Sequence, residues 1–518
     1  MIIKKFLKTV KDNDLHLWVF ATGAIVLVIE VVAVRILAPY FGNTLFSVSS
    51  VLSVVLLALS AGYWVGGNMA DKNPKREIFY GIILASGGLL LLMEVVRNLV
   101  LEVISRYFSI SIGPLLAATV LFIGPAFLLG MLSPFAIKLK SIENKEAGIG
   151  RVTGGIFFWS TLGSISGSLS AGFLLIPFFG VNVIMLSIGA ILIIMGATPL
   201  LFRKYFSTNS LVVLLLGAGS LFVATLAAHS GVAAGVLYQA DGIYEQITVR
   251  EGTYNGRSAR FLLQDRNNSA ASFMNSDELV YDYTKYYSLY EVFDTTLERA
   301  LVIGGGAYSI PEALLNEPTQ PIVDVSEVEP SLYGIAQEYF GVQESDRLNN
   351  YLQDGRRFLS KSENKYDVIY GDVYQSTLSI PSHFTTVEFF ELVRDRLTDD
   401  GVFISNVVGD QYQGPDAFFL SEMKTFRSVF PNSFFFAVRS PDNKSTQNIM
   451  MAGILGDGSY DIDYEKLSSS ENPILSELES HVINPEKFDL DQHQLITDNH
   501  APIDYLILKQ LERRGGAY

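Results

Sequence analysis

Three acids recur at one kind of place in the second half of the chain. Glu327, Asp354 and Asp372 each close a short run that reads as a β-strand, the last of these runs being Tyr366 to Ile369. A fourth such run, Ala300 to Ile303, ends instead in Gly304-Gly305-Gly306. Glycine lets the backbone turn tightly there and lets a ligand approach it closely. Glu327 comes 21 residues after Gly306, where an acid commonly binds ribose hydroxyls. Asp354, in Asp354-Gly355-Arg356, is placed to face a base. Ligands of such sheets bind outside the carboxyl ends of the strands, where all three acids fall. The chemistry this pattern suits is nucleoside binding.

The elements that must position these acids follow from the same stretch. Pro311 suits the first turn of a helix after the glycines. Strand, glycine turn, helix and then three strand–acid units predict a doubly wound α/β sheet. Phe384–Leu397 and Asp416–Phe430 read as amphipathic helices, Gly401–Val408 as a strand, and Ser433–Arg439 with Ile449–Leu455 as the last two strands. A dinucleotide fold would carry G-x-G-x-x-G, but Ala307-Tyr308-Ser309 follow Gly306. Ahead of the sheet, Gln246–Arg250 and Arg260–Leu263 alternate as short strands around Tyr254-Asn255-Gly256. Asn275–Tyr290 is helical in period and rich in tyrosine. The expected domains are a membrane domain over 1–232, a small β region and helix over 233–298, and a nucleoside-binding domain over 299–518.

The chain is 518 residues long, 49% hydrophobic, with a mean hydropathy of +0.29. Residues 1–230 carry a net charge of +7 and the remainder −22. The acidic half should avoid nucleic acid and attract cations such as polyamines or a basic protein surface. With no cysteine, disulfides, thiolate catalysis and Cys–zinc sites are excluded. The six histidines lack metal-ligand spacing, so no metal is expected.

Seven apolar runs reach or approach the roughly 20 residues that span a bilayer. They lie near 16–38, 47–69, 78–96, 111–137, 153–178, 181–202 and 208–230. The first is followed at once by others, which reads as a span and not as a cleavable signal peptide. Gly124-Pro125 and Ser133-Pro134 should kink or break the fourth, while Gly163, Gly167 and Gly172 suit close helix packing in the fifth. Thirteen basic residues flank one side of these runs, against Arg97 and Arg106 on the other. That places the N-terminus in the cytoplasm of a cell (inner) membrane. Seven spans put the C-terminal half outside; an even number would put it inside. Glu30 and Arg35 form a polar pair within the first span, where ionisable groups are costly.

The second half, from about Asp241 to Asp504, resembles the spermidine synthases, polyamine aminopropyltransferases built on a class I methyltransferase-like sheet. The marks are Tyr244-Glu245-Gln246-Ile247, Asp277-Glu278-x-x-Tyr281, the glycine triplet, Glu327-Val328-Glu329-Pro330, Asp354-Gly355-Arg356, Asp372, Pro381 and Thr386-x-Glu388-Phe389-Phe390. The whole chain looks like the membrane-fused branch, which shares Glu30, Arg35 and a late Thr497-Asp498-x-x-Ala501-Pro502 motif.

The resemblance implies that Gly304, Gly305, Gly306, Glu327, Asp354 and Gly355 hold decarboxylated S-adenosylmethionine, or S-adenosylmethionine itself. Glu327 would take the ribose and Asp354 the adenine amine. Asp372 would be the catalytic base. Tyr244, Gln246, Asp277, Tyr281 and Gln375 would line the acceptor side. Four positions depart from the pattern. Ala307 stands where the family has an aspartate that contacts the aminopropyl group, and Gln375 where a second acid binds the acceptor. Tyr283 replaces a glutamate, and Ser269 falls near a usual glutamine. The nucleoside-facing acids persist, whereas most amine-facing acids are absent, so a cationic diamine would be poorly held.

The leading expectation is therefore a membrane-anchored enzyme of this class, a homo-oligomer by family analogy, that transfers an aminopropyl or related group to an amine. The alternative is a catalytically inactive pseudoenzyme serving as an extracytoplasmic platform for a protein partner. A transporter with a nucleoside-sensing domain is the third reading, and the spans show no repeat that would support it.

Overall fold

The structure, a computed structural model, describes residues 14–202, 235–373, 380–456 and 460–513. These fall into two compact units, one within residues 1–232 and one within 233–516.

The first unit is helical. Its elements are α1 (Asp14–Phe41), α2 (Leu45–Lys72), α3 (Arg76–Tyr107), α4 (Gly113–Glu143), α5 (Ile149–Ser170) and α6 (Val181–Phe202). All six are long and apolar enough to cross a membrane. The expected seventh span, 208–230, lies outside the described residues, and with it the parity that sets the side of the soluble half. In α5, Gly163 and Gly167 lie against the backbone carbonyls of Phe20 and Ala24, so close that any Cβ would collide with them. This is the close packing expected of small residues where lipid supplies no hydrophobic drive. Gly172 has nothing near it.

Two expectations are corrected here. Of the kink or break expected at its prolines, α4 shows no break: it runs through Pro125 and Pro134 as one helix. The irregularity falls after α5 instead, as a π-turn over Ala171–Leu175. Arg97 is not a loop cation: α3 extends to Tyr107, and Arg97 pairs within it to Glu94 at 3.0 Å and reaches Asn182 at 2.7 Å. Glu30 and Arg35 both lie in α1, five residues and thus roughly 140° apart around the helix.

The second unit opens with an antiparallel meander of β1 (Val236–Asp241), β2 (Gln246–Tyr254), β3 (Arg257–Gln264) and β4 (Asn267–Phe273). Asn255 and Gly256 both take positive φ (48° and 78°) in the β2–β3 turn, as a two-residue hairpin of right-handed twist requires. Asp265, at φ 55°, forms the β3–β4 turn with Arg266. The helix expected over 275–290 is instead a 3₁₀ segment over Asp282–Phe293. Tyr283, Tyr286 and Leu289 recur every three residues, as do Tyr287, Tyr290 and Phe293. That period stacks side chains at three residues per turn.

A seven-stranded sheet follows: β5 (Arg299–Ile303), β6 (Ile322–Glu327), β7 (Leu348–Leu352), β8 (Tyr366–Gly371), β9 (Leu397–Gly409), β10 (Asn432–Ala437) and β11 (Gln447–Ile454). Its order is β10-β11-β9-β8-β5-β6-β7. β11 runs antiparallel to both its neighbours, and the other pairs are parallel. β5 thus lies between β6 and β8, so the chain order reverses beside the glycine turn, where such sheets bind ligands. Helices α7 (Ser309–Leu315), α8 (Leu332–Phe340), α9 (Gly355–Lys361), α10 (Val387–Arg394), α11 (Phe418–Val429) and α12 (Ile503–Arg513) complete the unit. Phe389, Phe390, Phe403, Phe426 and Phe430 build one face of the core through tilted and edge-to-face rings. The segment after β11 covers the free edge of β10, where the Ile483 amide donates to the Phe435 carbonyl.

Candidate active site

The carboxyl ends of β5, β6 and β8 are drawn together by the backbone. The Gly304 amide donates to the Ser326 carbonyl at 2.9 Å, and the Asp372 amide to the Ile303 carbonyl at 3.0 Å. Gly304 has φ +92°, and a Cβ on it would strike the Asp372 carbonyl. That position therefore serves the approach of two strands. Gly304→Ala is expected to cost about 3 kcal/mol from left-handed strain plus overlap, visible as a lowered melting temperature of the solubilised chain. Gly306, at φ +51°, has room for a Cβ, which would meet the Ala270 side chain at ordinary contact distance, so its glycine answers to backbone conformation and not to crowding. Ala307, where the resemblance implies an aspartate, and Tyr308 are both buried. Tyr308 is fully buried under Gly305 and donates its hydroxyl to Asn350 at 2.5 Å.

Glu327 is buried at the end of β6. One carboxylate oxygen accepts the Gly305 amide and the other the Glu329 amide, each at 2.8 Å. Burial pushes its pKa up while these amides oppose the rise. Asp354 caps α9 by accepting the Arg357 amide at 2.9 Å, and its second oxygen lies 3.1 Å from His383 Nε2. Burial works to raise this carboxyl, but the bonds from His383 and the Arg357 amide prevail and hold it below the ordinary aspartate range. Gly355 lies against Ile303 with no room for a Cβ, so its smallness serves packing.

Asp372 follows β8. Asn406 Nδ2 donates to one of its oxygens at 3.2 Å and the Tyr283 hydroxyl to the other at 3.4 Å; Asn448 in turn donates to Asn406 Oδ1 at 2.9 Å. Burial pushes the Asp372 pKa up, against the two donors. The Tyr283 hydroxyl also lies 3.4 Å from the Ser269 carbonyl. Two positions that depart from the family pattern, scattered in sequence, thus meet beside the candidate base. Tyr281 stacks on Tyr283 at 6.2 Å between ring centroids, and burial pushes its own hydroxyl up to about 12. Gln246 donates its side-chain amide to Asp241 at 3.1 Å, and the Tyr244 amide donates to Glu329 at 3.1 Å. Asp277 is exposed; its charge, after burial, helps raise the pKa of Glu312 on α7. Gln375 lies outside the described residues. Among the described residues no group of three or more metal-ligating side chains forms.

The sequence reading missed Glu245 and Asn406 as members of this neighbourhood. Glu245 is buried, bonded to Gln264, and pushed up to about 8, chiefly by burial, with Asp265, Glu327 and Glu329 adding to the rise. A signal was present: Glu245 alternates with Ile247 and Val249, both buried, so it shares their inward face. Asn406, with Ser405, likewise interrupts the apolar run from Val402 to Val408 of β9. The folded pKa of Glu245 exceeds its ordinary 4.5, so the folded state binds the proton more tightly. Its contribution to stability is complete below the unfolded value and is lost as pH rises to about 8, at about 1.4 kcal/mol per pH unit. Glu245→Gln should flatten that dependence in melts between about pH 5 and pH 9; an unchanged slope would show that Glu245 is not its source.

The sheet order, with one antiparallel hairpin at the end of a parallel sheet, defines a class I methyltransferase-like domain. Comparison with known proteins narrows the class. A family model for the spermine/spermidine synthase domain matches residues 289–452. A polyamine aminopropyltransferase of Vibrio vulnificus is 26% identical over 220 residues, covering 42% of this chain and 72% of that protein. A probable polyamine aminopropyl transferase of Bifidobacterium longum is 30% identical over 175 residues, covering 33% of this chain and 37% of that protein. The structure of a probable spermidine synthase from Corynebacterium glutamicum is similar over 50% of this chain and 96% of its own, at 18% identity and a TM-score of 0.41. The second half of the chain is spermidine synthase-like, and among the described residues six long apolar helices precede it.

Proposed function

We propose that the chain is a membrane-anchored spermidine synthase-like enzyme that binds an S-adenosylmethionine-type nucleoside and transfers its aminopropyl or a related group to an amine. The observation that carries this reading is the set of three acids at the ends of β6, β7 and β8, grouped around the glycine turn at the reversal of strand order. The residues fit such a nucleoside. Glu327 retains lone pairs for ribose hydroxyls, and Asp354 retains them for an exocyclic amine.

The sulfonium of the donor supplies an activated carbon. Asp372 takes a proton from the acceptor ammonium, freeing the nitrogen lone pair. That nitrogen then forms a bond to the carbon beside sulfur, the carbon–sulfur bond breaks, and its electron pair leaves on a neutral thioether nucleoside. Charge asymmetry across the spans supports a cytoplasmic N-terminus and, with seven spans, an extracytoplasmic catalytic half.

A second reading, a nucleoside-binding domain without turnover, is favoured by one feature: both Asp372 oxygens already accept bonds from neutral donors. Calorimetry of the purified full chain with 5′-methylthioadenosine tests the proposal. Saturable binding, with release of that product from decarboxylated S-adenosylmethionine and an amine, is expected. Binding without release would favour the second reading. No binding at about 1 mM ligand would overturn both.

A further inference from the structure

The late Thr497-Asp498 motif has no part in the site described so far, yet it is tied to it by a continuous chain of hydrogen bonds. Asp498 takes the Arg356 guanidinium in a two-pronged grip, Nη1 to Oδ1 at 2.7 Å and Nη2 to Oδ2 at 2.5 Å. Its Oδ1 also accepts the Thr386 hydroxyl at 2.9 Å, and its backbone amide donates to Glu388 at 3.0 Å. The Ile496 carbonyl accepts the Val387 amide at 3.0 Å. Arg356 extends the chain by donating to the His383 carbonyl at 3.1 Å. The His383 ring closes it on Asp354 at 3.1 Å.

We infer that Asp498 is a positioning residue for Asp354: through Arg356 it fixes the turn carrying His383, and so fixes the carboxylate that faces the nucleobase. The inference rests on the nucleoside reading of Asp354. An isolated exposed ion pair would carry little weight, at about 0–1 kcal/mol. Asp498 differs because one carboxylate accepts three donors from two segments, and a planar fork restricts the geometry. It joins three stretches far apart in sequence: the start of α9, the turn before α10 and the segment before α12. Asp354 and Arg356 lie two residues apart at one helix start, so a shift of Arg356 moves the helix cap itself. Arg356→Lys keeps the charge and loses the fork, so it should reproduce the effect of losing Asp498.

The test compares binding of 5′-methylthioadenosine with its 6-oxo counterpart, 5′-methylthioinosine, to the full chain in detergent. An acid that accepts from the exocyclic amine favours the first ligand. Asp498→Asn keeps size and removes charge. It should reduce the preference between the two ligands roughly tenfold, with Asp498→Glu restoring part of it. In a cycle with Asp354→Asn, the two substitutions should be non-additive. Melting curves accompany each variant. An Asp498→Asn protein that keeps the wild-type preference overturns the inference while leaving the nucleoside reading intact. So does one that weakens both ligands equally with a lowered melting temperature. A wild-type chain that binds neither nucleoside overturns the reading of Asp354, and the inference with it.

Discussion

Asp372→Asn is expected to slow group transfer by about a hundred- to ten-thousand-fold, the usual share of a positioned general base. Nucleoside affinity should stay near wild type, because Glu327 and Asp354 are untouched. The substitution keeps the side chain's shape, and its amide oxygen can still accept from Asn406, which itself is held by Asn448. Product release measured at saturating nucleoside separates the two effects. The pH dependence follows from the same carboxyl. Burial raises its pKa above the ordinary 3.8, so the acidic limb of the wild-type rate profile should lie above the normal aspartate range and vanish in the variant. The sign for stability is opposite. With the folded pKa raised, the stabilising contribution is present below the unfolded value and lost as pH rises through the folded one. Above the folded pKa the ionised group is a burden, and there Asp372→Asn should melt no lower than wild type. A variant that turns over at the wild-type rate would remove Asp372 from the mechanism.

The second large effect is expected at Glu327. Its carboxylate supports the glycine turn from beneath by accepting the Gly305 and Glu329 amides, and in the proposed function it also takes the ribose. Glu327→Ala should weaken 5′-methylthioadenosine binding by about two orders of magnitude, the scale of one or two hydrogen bonds to a charged group. It should also lower stability, since two buried amides lose their acceptor at about 1–3 kcal/mol each. Melting in the absence of ligand isolates the second effect, and calorimetry on the folded fraction reads the first. If binding were retained at wild-type strength while the melt fell, Glu327 would be a support for the turn alone.

These two residues show how much of the site was legible beforehand. Both acids stand out because each closes a run of strand-forming residues, and a parallel strand buried on both faces must be nearly continuous in apolar residues. The glycine triplet was legible for a related reason, since only glycine tolerates φ +92° against a neighbouring backbone. Sequence did not separate the roles of the three glycines. Gly304 serves strand approach, Gly305 sits on the Tyr308 ring, and Gly306 supplies a positive φ beside Ala270.

Six long apolar helices of the first unit were legible from length and apolarity. Close packing of α5 was suggested by Gly163 and Gly167, but that it meets α1, at the Phe20 and Ala24 carbonyls, was not. The tolerance of α4 for its two prolines, and the π-turn after α5, depend on neighbouring packing.

What the sequence by itself determined is therefore the periodic and the local: the apolar spans, the strand–acid repeats, the glycine turn and the hairpin at Asn255-Gly256. Only the tertiary structure decided which distant residues meet. Tyr283, Ser269 and Asn406 converge on Asp372, and Asp498 reaches Asp354 through Arg356 and His383. The physical reason is that backbone periodicity and burial act along the chain and leave a record in spacing. Hydrogen-bond partners brought together by a crossed sheet are set by topology, and no local pattern encodes the pairing.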